Sequence, residues 1–341
     1  MSVRELGELG LIRRIREGAR GAPASGVPVG IGDDAAVLAV TPGAALLATT
    51  DLVIEDVHFR RAWAAPADVG WKAMAVNLSD IAAMGGVPRW ALIALAVPGD
   101  TTAADVDAFY AGLRAAEAPH GVAIVGGDTS QSPRGWLVSV TLLGEHAGRP
   151  RLRSTARAGD AIAVTGTLGR SAAGLAVLEM GVDEARRHGV PETVIDEVTR
   201  AHLRPRARVA EGQWLGAARD VHAMLDCSDG LTADLGHICR ESAVGARVAL
   251  DLVPIASGAE AAARALGREP VQWATSGGED YELLLTCDPG EVERLSTDFR
   301  RNTGTPLTVI GEIEAGTSGI VWIGADGNPA VPPAGFEHFR G

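Results

Sequence analysis

Five short segments of this chain combine carboxylates with glycine or hydroxyl side chains, at the ends of apolar strands or inside an apolar helix. They are GIGDD at 30–34, TTD at 49–51, NLSD at 77–80, GGDT at 126–129 and DCSDG at 226–230. An unpaired buried carboxylate is costly, so these side chains need cations. The 31 lysines and arginines include a single lysine, and none of them lies inside these segments. Metal ions are therefore the expected partners, and hard oxygen ligands of this kind suit Mg²⁺ bound together with phosphate groups.

Each acidic segment also has a simpler structural interpretation. Asp33 and Asp34 follow a glycine-rich run, which is typical of a turn held by Asx hydrogen bonds. Asp80 is more informative, because its neighbours one helical turn away are mostly apolar and leave a carboxylate uncompensated. An ion pair with Arg89 or Lys72 is the structural alternative for Asp80.

The last two segments favour phosphate binding. Glycines before Asp128 let the backbone approach a ligand closely, although a hairpin turn explains them equally well. Asp226 and Asp229 lie between a strand and the start of a helix, whose free amides favour phosphate. Ser228 or Asp229 as a simple helix cap is the alternative.

Composition limits the classes of protein and partner. A chain of 341 residues exceeds the size at which one core stops growing, so we expect two domains. A net charge of −12 argues against nucleic acid or an acidic membrane as partner, but not against a phosphorylated substrate bound with magnesium. Three scattered cysteines fit neither a disulfide framework nor a zinc site, and no apolar run is long enough to span a bilayer. A cytoplasmic protein is expected.

Periodicity and turn residues predict the elements that position these segments. Predicted helices cover 6–18, 68–84, 103–118, 171–180 and 231–242, and predicted strands cover 35–40, 44–50, 90–97, 122–125, 136–143, 161–164, 222–225, 281–286, 307–310 and 320–323. The arginine-rich stretch 148–159 has no apolar periodicity and marks a junction. We therefore expect an N-terminal α/β domain over 1–148 and a C-terminal α+β domain over 149–341.

Several other features have modest interpretations. The loop 166–171 lacks the Gly-Lys-Ser/Thr ending of a phosphate loop, so a turn with Ser171 as helix cap is expected. SGGEDYE at 276–282 offers acids for a pocket, or acids that are simply solvated. His58 shows no metal-ligand spacing, and Ser228 has no sequence partners for a hydrolase triad.

Nine segments occur in a fixed order between residues 30 and 339. They are GIGDDAAV, TTDLVIEDVHF, KAMAVNLSDIAAMGG, GGDTS, VTGTLGRSAAGL, HLRPRARV, DCSDGLTADLGHI, SGGEDYEL and GFEHF. Each is weak alone, but the ordered set resembles the thiamine-monophosphate kinase family of the aminoimidazole ribonucleotide synthetase-like superfamily. The resemblance implies a cytoplasmic homodimer whose N-terminal α/β domains bind ATP and Mg²⁺ and pair strands in a shared barrel, each followed by an α+β domain.

The resemblance also implies roles for individual residues. Several Mg²⁺ ions would be bound by Asp34, Thr49, Thr50, Asp51, Asp80, Asp128, Asp226 and Asp229, with Asp51, Asp128 and Asp226 the most important for catalysis. ATP would lie near Tyr110, Gly127, Asp128, Arg153 and Ser228. Thiamine monophosphate would meet His58, Glu279 and Phe336. Cys227 stands where other members often carry an aliphatic residue, a small apolar change that should be tolerated.

The implied reaction is direct in-line transfer of a phosphoryl group from ATP to thiamine monophosphate, giving thiamine diphosphate. Such a transfer needs positioning and charge neutralisation more than covalent chemistry, and the phosphate acceptor needs no strong general base. Within the superfamily, the alternative is a synthetase that activates an amide, selenide or carboxamide, but the N-terminal or C-terminal cysteine of its selenide and hydrogenase-maturation types is lacking. A nucleotide-binding regulator without turnover is the alternative from another class, and the retained carboxylates disfavour it.

Overall fold

The computed structural model describes residues 1–18, 26–316 and 319–330. The chain forms two compact units. The first contains residues 1–81 and 86–149, and the second contains residues 82–85 and 150–341. Mixed helix and sheet content in both units agrees with the predicted fold class.

Among its described residues, the first unit contains four α-helices and four strands. They are α1 Val3–Leu6, α2 Glu8–Gly18, β1 Ala45–Ile54, α3 Pro66–Ala83, β2 Val87–Val97, α4 Ala103–Glu117, β3 Ala123–Gln131 and β4 Leu137–His146. The strands form one sheet in the order β1-β4-β2-β3, in which only the β2–β3 pair is parallel. Strands β1 and β3 are therefore the two edges of the sheet.

The two faces of this sheet differ in burial. Along β1, Leu47 and Val53 are buried, whereas Leu46 and Leu52 are 51% and 52% exposed. Side chains alternate between faces along a strand, so β1 has one packed face and one open face. The register places the exposed Leu92 and Leu137 on the open face as well. This face therefore carries several exposed leucines.

Helices α3 and α4 approach each other at two glycines. A β-carbon added to Gly70 would lie 2.0 Å from the carbonyl oxygen of Phe109, and one added to Gly112 would lie 1.9 Å from that of Ala67. Only glycine permits this backbone contact. The close crossing fixes α3, which carries Asp80.

The second unit contains a larger sheet and most of the helices. Its elements are β5 Ala161–Thr165, α5 Arg170–Met180, α6 Val182–Arg187, α7 Glu192–Leu203, α8 Val209–Ala217, β6 Val221–Asp226, α9 Leu231–Ser242, β7 Gly245–Ala249, α10 Ser257–Leu266, α11 Pro270–Ser276, β8 Leu283–Cys287, α12 Val292–Thr303, β9 Leu307–Glu314, β10 Ile320–Ile323 and β11 Pro329–Ala330. The sheet order is β11-β10-β7-β9-β5-β8-β6, and only β10–β7 is parallel. A core that includes Ile162, Leu225, Ile238 and Ile310 packs on this sheet.

Some predicted elements are wrong. Within the described residues, the expected strand at 35–40 contributes only an isolated bridge between Val37 and Val29. The opening helix is split at Gly7, whose φ of 71° interrupts it. Asp51 and Asp128 lie inside β1 and β3, not in turns beyond their ends, because both strands continue past the acids.

No helix in the described part of the chain is long and apolar enough to cross a membrane.

Candidate functional site

The first unit brings three of the predicted metal residues to one side of its sheet. Thr49 and Asp51 share the packed face of β1, and Asp80 approaches that face from α3. The Thr49 hydroxyl donates a hydrogen bond to the Asp80 carboxylate. Arg89, an alternative partner for Asp80, instead binds Glu145 with 3.0 Å between Nε and Oε2. Two carboxylates and a hydroxyl on one face of the sheet are suitable oxygen donors for Mg²⁺.

Thr50 points to the opposite face of the sheet. Its hydroxyl donates to the carbonyl of Val140 at 3.2 Å and accepts from the Thr141 hydroxyl at 3.1 Å. Strand alternation therefore separates its side chain from those of Thr49 and Asp51. Thr50 can therefore contribute to a metal site beside Asp51 only through its backbone.

Asp34 lies in an exposed turn. Its backbone N–H donates to Oδ1 of the adjacent Asp33 at 2.9 Å, which is one residue short of the spacing of an Asx turn. The Arg16 guanidinium packs against Gly32, where an added β-carbon would lie 2.5 Å from Cζ. A cation that is remote in sequence thus accompanies this acidic loop.

Gly127 and Asp128 lie on β3, the other edge of the sheet. A β-carbon on Gly127 would lie 1.9 Å from the carbonyl oxygen of Ile93, and the residue has a φ of 152°. Asp128 is exposed and pairs in register with Ala94. Because β4 and β2 lie between the edges, Asp128 is about 14 Å from the strand that carries Asp51.

His58 closes the turn after β1. Its Nδ1 accepts the backbone N–H of Ile54 at 3.1 Å, so the ring carries its proton on Nε2 when neutral. Lys72 Nζ lies 3.4 Å from the His58 carbonyl oxygen. The orientation of the imidazole is thereby fixed.

Tyr110 has a packing role in this unit. It is 5% exposed, and its ring meets Phe109 edge-on with centroids 5.3 Å apart. Burial raises the pKa of its phenol. Its predicted contact with the nucleotide remains a prediction.

In the second unit, the loop that follows β6 pairs with the segment before β8. The Cys227 N–H donates to the Glu282 carbonyl at 2.7 Å, the Glu279 N–H donates to the Ser228 carbonyl at 2.8 Å, and the Tyr281 N–H donates to the Cys227 carbonyl at 2.9 Å. This pairing places the predicted metal and nucleotide residues of the loop beside Glu279, the predicted substrate residue. Gly230, with a φ of 99°, then begins α9.

Three carboxylates of this loop and α9 repel one another. Burial, followed by the charges of Asp226 and Asp229, raises the pKa of Asp234 to about 8. Asp226 is only 5% exposed. Burial and the neighbouring acids also raise the pKa of the Cys227 thiol, which keeps it protonated. A bound cation would relieve this repulsion, and the oxygen donors are of the kind that Mg²⁺ prefers.

Arg153 is exposed beside α9. Its carbonyl oxygen accepts from Ser242 Oγ at 2.9 Å. Burial lowers the pKa of His237, and the charges of Arg240 and Arg153 lower it further. The guanidinium therefore lies near the helix that follows the acidic loop.

Each acid in the segment 279–282 has its own protein partners, which the sequence analysis did not predict. Asp280 Oδ2 accepts the Gly169 N–H at 2.6 Å and Oδ1 accepts the Ser171 N–H at 3.1 Å. Asp280, not Ser171, therefore caps α5, and the predicted cap is wrong. Burial raises the pKa of Asp280 to about 7. Glu282 is buried, so these acids are not simply solvated.

A cleft of about 510 Å³ in the second unit adjoins this loop. Its lining includes Arg170, Ser171, Arg200, Arg208, Glu279 and Asp280. The HLRPRARV segment supplies several further lining residues, although its spacing alone indicated no role. Phe336 lies outside the described residues.

Within the described ranges, no three or more His, Cys, Asp or Glu side chains are grouped so that they could hold a metal ion. The predicted metal residues instead form separate donor sets, at Thr49–Asp80 in the first unit and around Asp226 in the second. The donor chemistry fits Mg²⁺, while further donors are needed to complete each set.

Comparison with known families matches both halves of the chain. Residues 32–146 match the family AIR synthase related protein, N-terminal domain, and residues 157–324 match AIR synthase related protein, C-terminal domain. The two matches together cover most of the chain.

Individual proteins are similar to this chain over nearly its whole length. The thiamine-monophosphate kinase of Escherichia coli (strain K12) is 39% identical over 345 residues, covering 98% of each chain. The crystal structure of thiamine-monophosphate kinase from Stenotrophomonas maltophilia K279a has a TM-score of 0.81 at 37% identity, covering 94% of this chain and 96% of that one. A solved structure of AaThiL complexed with AMPPCP and TMP has a TM-score of 0.76 at 35% identity, covering 99% of both chains.

Proposed function

This chain belongs to the thiamine-monophosphate kinase family, and from this premise we propose that it transfers the γ-phosphoryl group of ATP to thiamine monophosphate, giving thiamine diphosphate and ADP. The relative complexed with AMPPCP and TMP supports both substrates. One structural observation carries the proposal: the backbone pairing of the Asp226–Asp229 loop with the segment of Glu279. Residues for phosphate and residues for the acceptor thus adjoin in the second unit.

Mg²⁺ is part of the proposal. The residues that would hold it are Asp34, Thr49, Thr50, Asp51, Asp80, Asp128, Asp226 and Asp229, with Thr50 acting through its backbone. Bound Mg²⁺ would neutralise negative charge on the phosphoryl oxygens during transfer. Burial, followed by the charges of Asp226 and Asp229, raises the pKa of Asp234, and this concentration of negative charge supports a cation beside the two acids. Arg153 supplies a further positive charge for the nucleotide.

The acceptor requires little help from a base. A phosphate oxygen of thiamine monophosphate is already ionised at neutral pH, so proton removal does not limit attack. His58 fits this account, because its Nδ1 already accepts the Ile54 N–H and its protonated Nε2 is a donor. Its proposed task is to donate to the substrate, not to take a proton from it.

A homodimer completes the proposal. The open face of the first unit carries Leu46, Leu52, Leu92 and Leu137, all at least 36% exposed, and an apolar face of this kind needs a cover. Two such sheets that close into a shared barrel would also remove the exposed edges β1 and β3.

A cytoplasmic location is also proposed. The three cysteines, all within the described residues, are free and buried, as suits a reducing compartment.

The direct test uses the purified full chain with ATP, MgCl₂ and thiamine monophosphate. Chromatography should detect thiamine diphosphate and ADP in equal amounts, and EDTA should abolish both. Unphosphorylated thiamine is the matched control and should give no product. Nucleotide binding without thiamine diphosphate would favour a regulator and contradict the proposal.

A further inference from the structure

The segment HLRPRAR at 202–208 has no part in the proposed transfer, yet two of its side chains hold the acidic loop. Arg208 binds the Glu282 carboxylate with both Nε and Nη2, at 2.7 and 2.5 Å. Thr165 Oγ1 donates to the same carboxylate at 2.7 Å. This end of the loop is therefore anchored by a bidentate ion pair in the interior.

The other end of the loop is held by a buried histidine. His202, near the end of α7, is 4% exposed, and its Nδ1 lies 3.0 Å from Glu279 Oε2. A carboxylate only accepts, so the Nδ1–H donates to Glu279. Ser171 Oγ lies 3.0 Å from the same nitrogen. The buried imidazole therefore holds the Glu279 carboxylate by a hydrogen bond from the interior of the unit.

The Glu279 side chain lies between this interior contact and the cleft. It is 25% exposed and lines the cleft of about 510 Å³. Its backbone has a φ of 64°, an unfavourable conformation for a residue other than glycine. Such strain, held by packing and hydrogen bonds, is typical of side chains whose direction matters.

We infer that His202 is a positioning residue for the acceptor substrate: its Nδ1–H fixes the Glu279 carboxylate in the direction that meets thiamine monophosphate. This inference rests on the proposed function, in which Glu279 contacts the cationic thiamine moiety. His202 itself does not touch the substrate. Its effect is confined to the acceptor, so ATP should be bound equally well without it.

Two substitutions separate positioning from packing. His202→Asn keeps a side-chain nitrogen near the Nδ1 position, whereas His202→Gln moves it toward the Nε2 position, away from Glu279. His202→Gln should raise KM for thiamine monophosphate about tenfold, the scale of one charge-assisted hydrogen bond, with KM for ATP changed less than about twofold. His202→Asn should recover most of that loss.

A second, partly buried histidine in the same unit gives a matched control. His222 Nδ1 lies 2.8 Å from Asp160 Oδ1, its side chain is 12% exposed, and Asp160 precedes β5 at the end opposite Thr165. His222→Gln should lower thermal stability as much as His202→Gln while leaving both KM values at the wild-type level.

The double variant Glu279→Gln/His202→Gln decides whether His202 acts through Glu279. It should have the same KM for thiamine monophosphate as Glu279→Gln alone. A multiplied loss in the double variant, or an unchanged KM in His202→Gln, would overturn the inference.

The same experiment separates this inference from the proposed function. An inactive wild type would refute the proposed function. An active wild type whose KM for thiamine monophosphate is unchanged in His202→Gln would refute only the role of His202. If both His202 variants fail to fold, ¹⁵N shifts of the histidine rings in wild type and Glu279→Gln provide the test. A shifted buried ring supports the contact, and identical spectra overturn it.

Discussion

The individual acids of this chain differ in their burial and in their hydrogen-bond partners. Glu282 is buried, Asp280 is partly buried, and both have protein partners at short range. Asp128 and Asp34 are exposed on a strand and in a turn. Replacing an acid that has protein partners in the interior changes the stability of the fold as well as the charge. The exposed acids are therefore the better targets for a test of function by removal of charge.

Asp128→Asn is the residue-scale test of metal dependence. The change keeps the shape of the side chain and removes its charge, so turnover should fall about a thousandfold through loss of metal-assisted stabilisation of the transition state. Because Asp128 is exposed, the free energy of unfolding should change by less than about 0.5 kcal/mol. Steady-state kinetics and thermal unfolding measure the two effects.

Asp33→Asn is the matched control, since Asp33 is also exposed but is not among the proposed metal residues, and its Oδ1 still accepts the Asp34 N–H. It should retain nearly full turnover. Wild-type turnover in Asp128→Asn would remove this residue from the metal site.

At this scale the sequence predicted a set of candidate acids but not which partners they have. Thr49 and Asp80 are 31 residues apart and meet only because β1 packs on α3. The contact between His202 and Glu279 depends in the same way on the packing of α7 against the loop before β8. Helix α7 was missed although Ile195, Val198 and His202 recur at helical spacing. The contact itself has no local signal in the sequence, because tertiary packing creates it.

At the scale of elements, strand β3 requires glycine at position 127. Gly127→Ala would put a β-carbon 1.9 Å from the carbonyl oxygen of Ile93 at a φ of 152°. The variant should lose about 2–4 kcal/mol of unfolding free energy, because both the backbone and its neighbour must shift. Denaturant unfolding measures the loss.

Gly126→Ala is the neighbouring control. Its β-carbon would meet only Leu92 Cδ2, at 2.9 Å, and a flexible side-chain end can move. It should lose less than half as much free energy. Equal losses in the two variants would show that the strained backbone at Gly127 is not the cause.

The end of α4 gives a pH-dependent prediction. Burial raises the pKa of Glu117 to about 7 from 4.5, and its Oε2 has no hydrogen-bond partner among the described residues. Below the unfolded pKa both states are protonated, so no stability is lost. As pH rises toward the folded pKa, the unfolded state ionises more readily and wild-type stability falls.

Glu117→Gln does not ionise and should escape this loss. Its melting temperature should exceed that of wild type at about pH 8 and match it at about pH 5. An equal difference at both pH values would mean that packing, not ionisation, distinguishes the two side chains.

Element prediction succeeded where apolar periodicity was strong and failed where it was not decisive. The helix at 231–242 and the strand at 320–323 have the predicted bounds, because Gly230 marks the start of the helix and Gly319 and Gly324 flank the short apolar strand. The run at 35–40 is equally apolar, but among the described residues it gains only the bridge to Val29, so it forms no strand. A strand needs a neighbour, and periodicity does not reveal one.

For the whole molecule, the open sheet face carries the prediction of assembly. Leu52→Asp puts a charge in the middle of the proposed dimer surface and should convert dimers to monomers in light scattering at micromolar concentration. Leu252→Asp is the control, because Leu252 is similarly exposed, at 49% against 52%, but belongs to the second unit. A dimeric Leu52→Asp variant, or a monomeric wild type, would contradict the shared barrel.

The central claim is direct transfer of the γ-phosphoryl group of ATP to thiamine monophosphate. The most direct test is a single-turnover reaction of the wild-type protein with MgCl₂, thiamine monophosphate and ATP labelled with ³²P in the γ-phosphate. We predict that the label appears in the terminal phosphate of thiamine diphosphate, with one ADP formed for each product molecule. Label released as inorganic phosphate without thiamine diphosphate, or AMP as the nucleotide product, would contradict the claim.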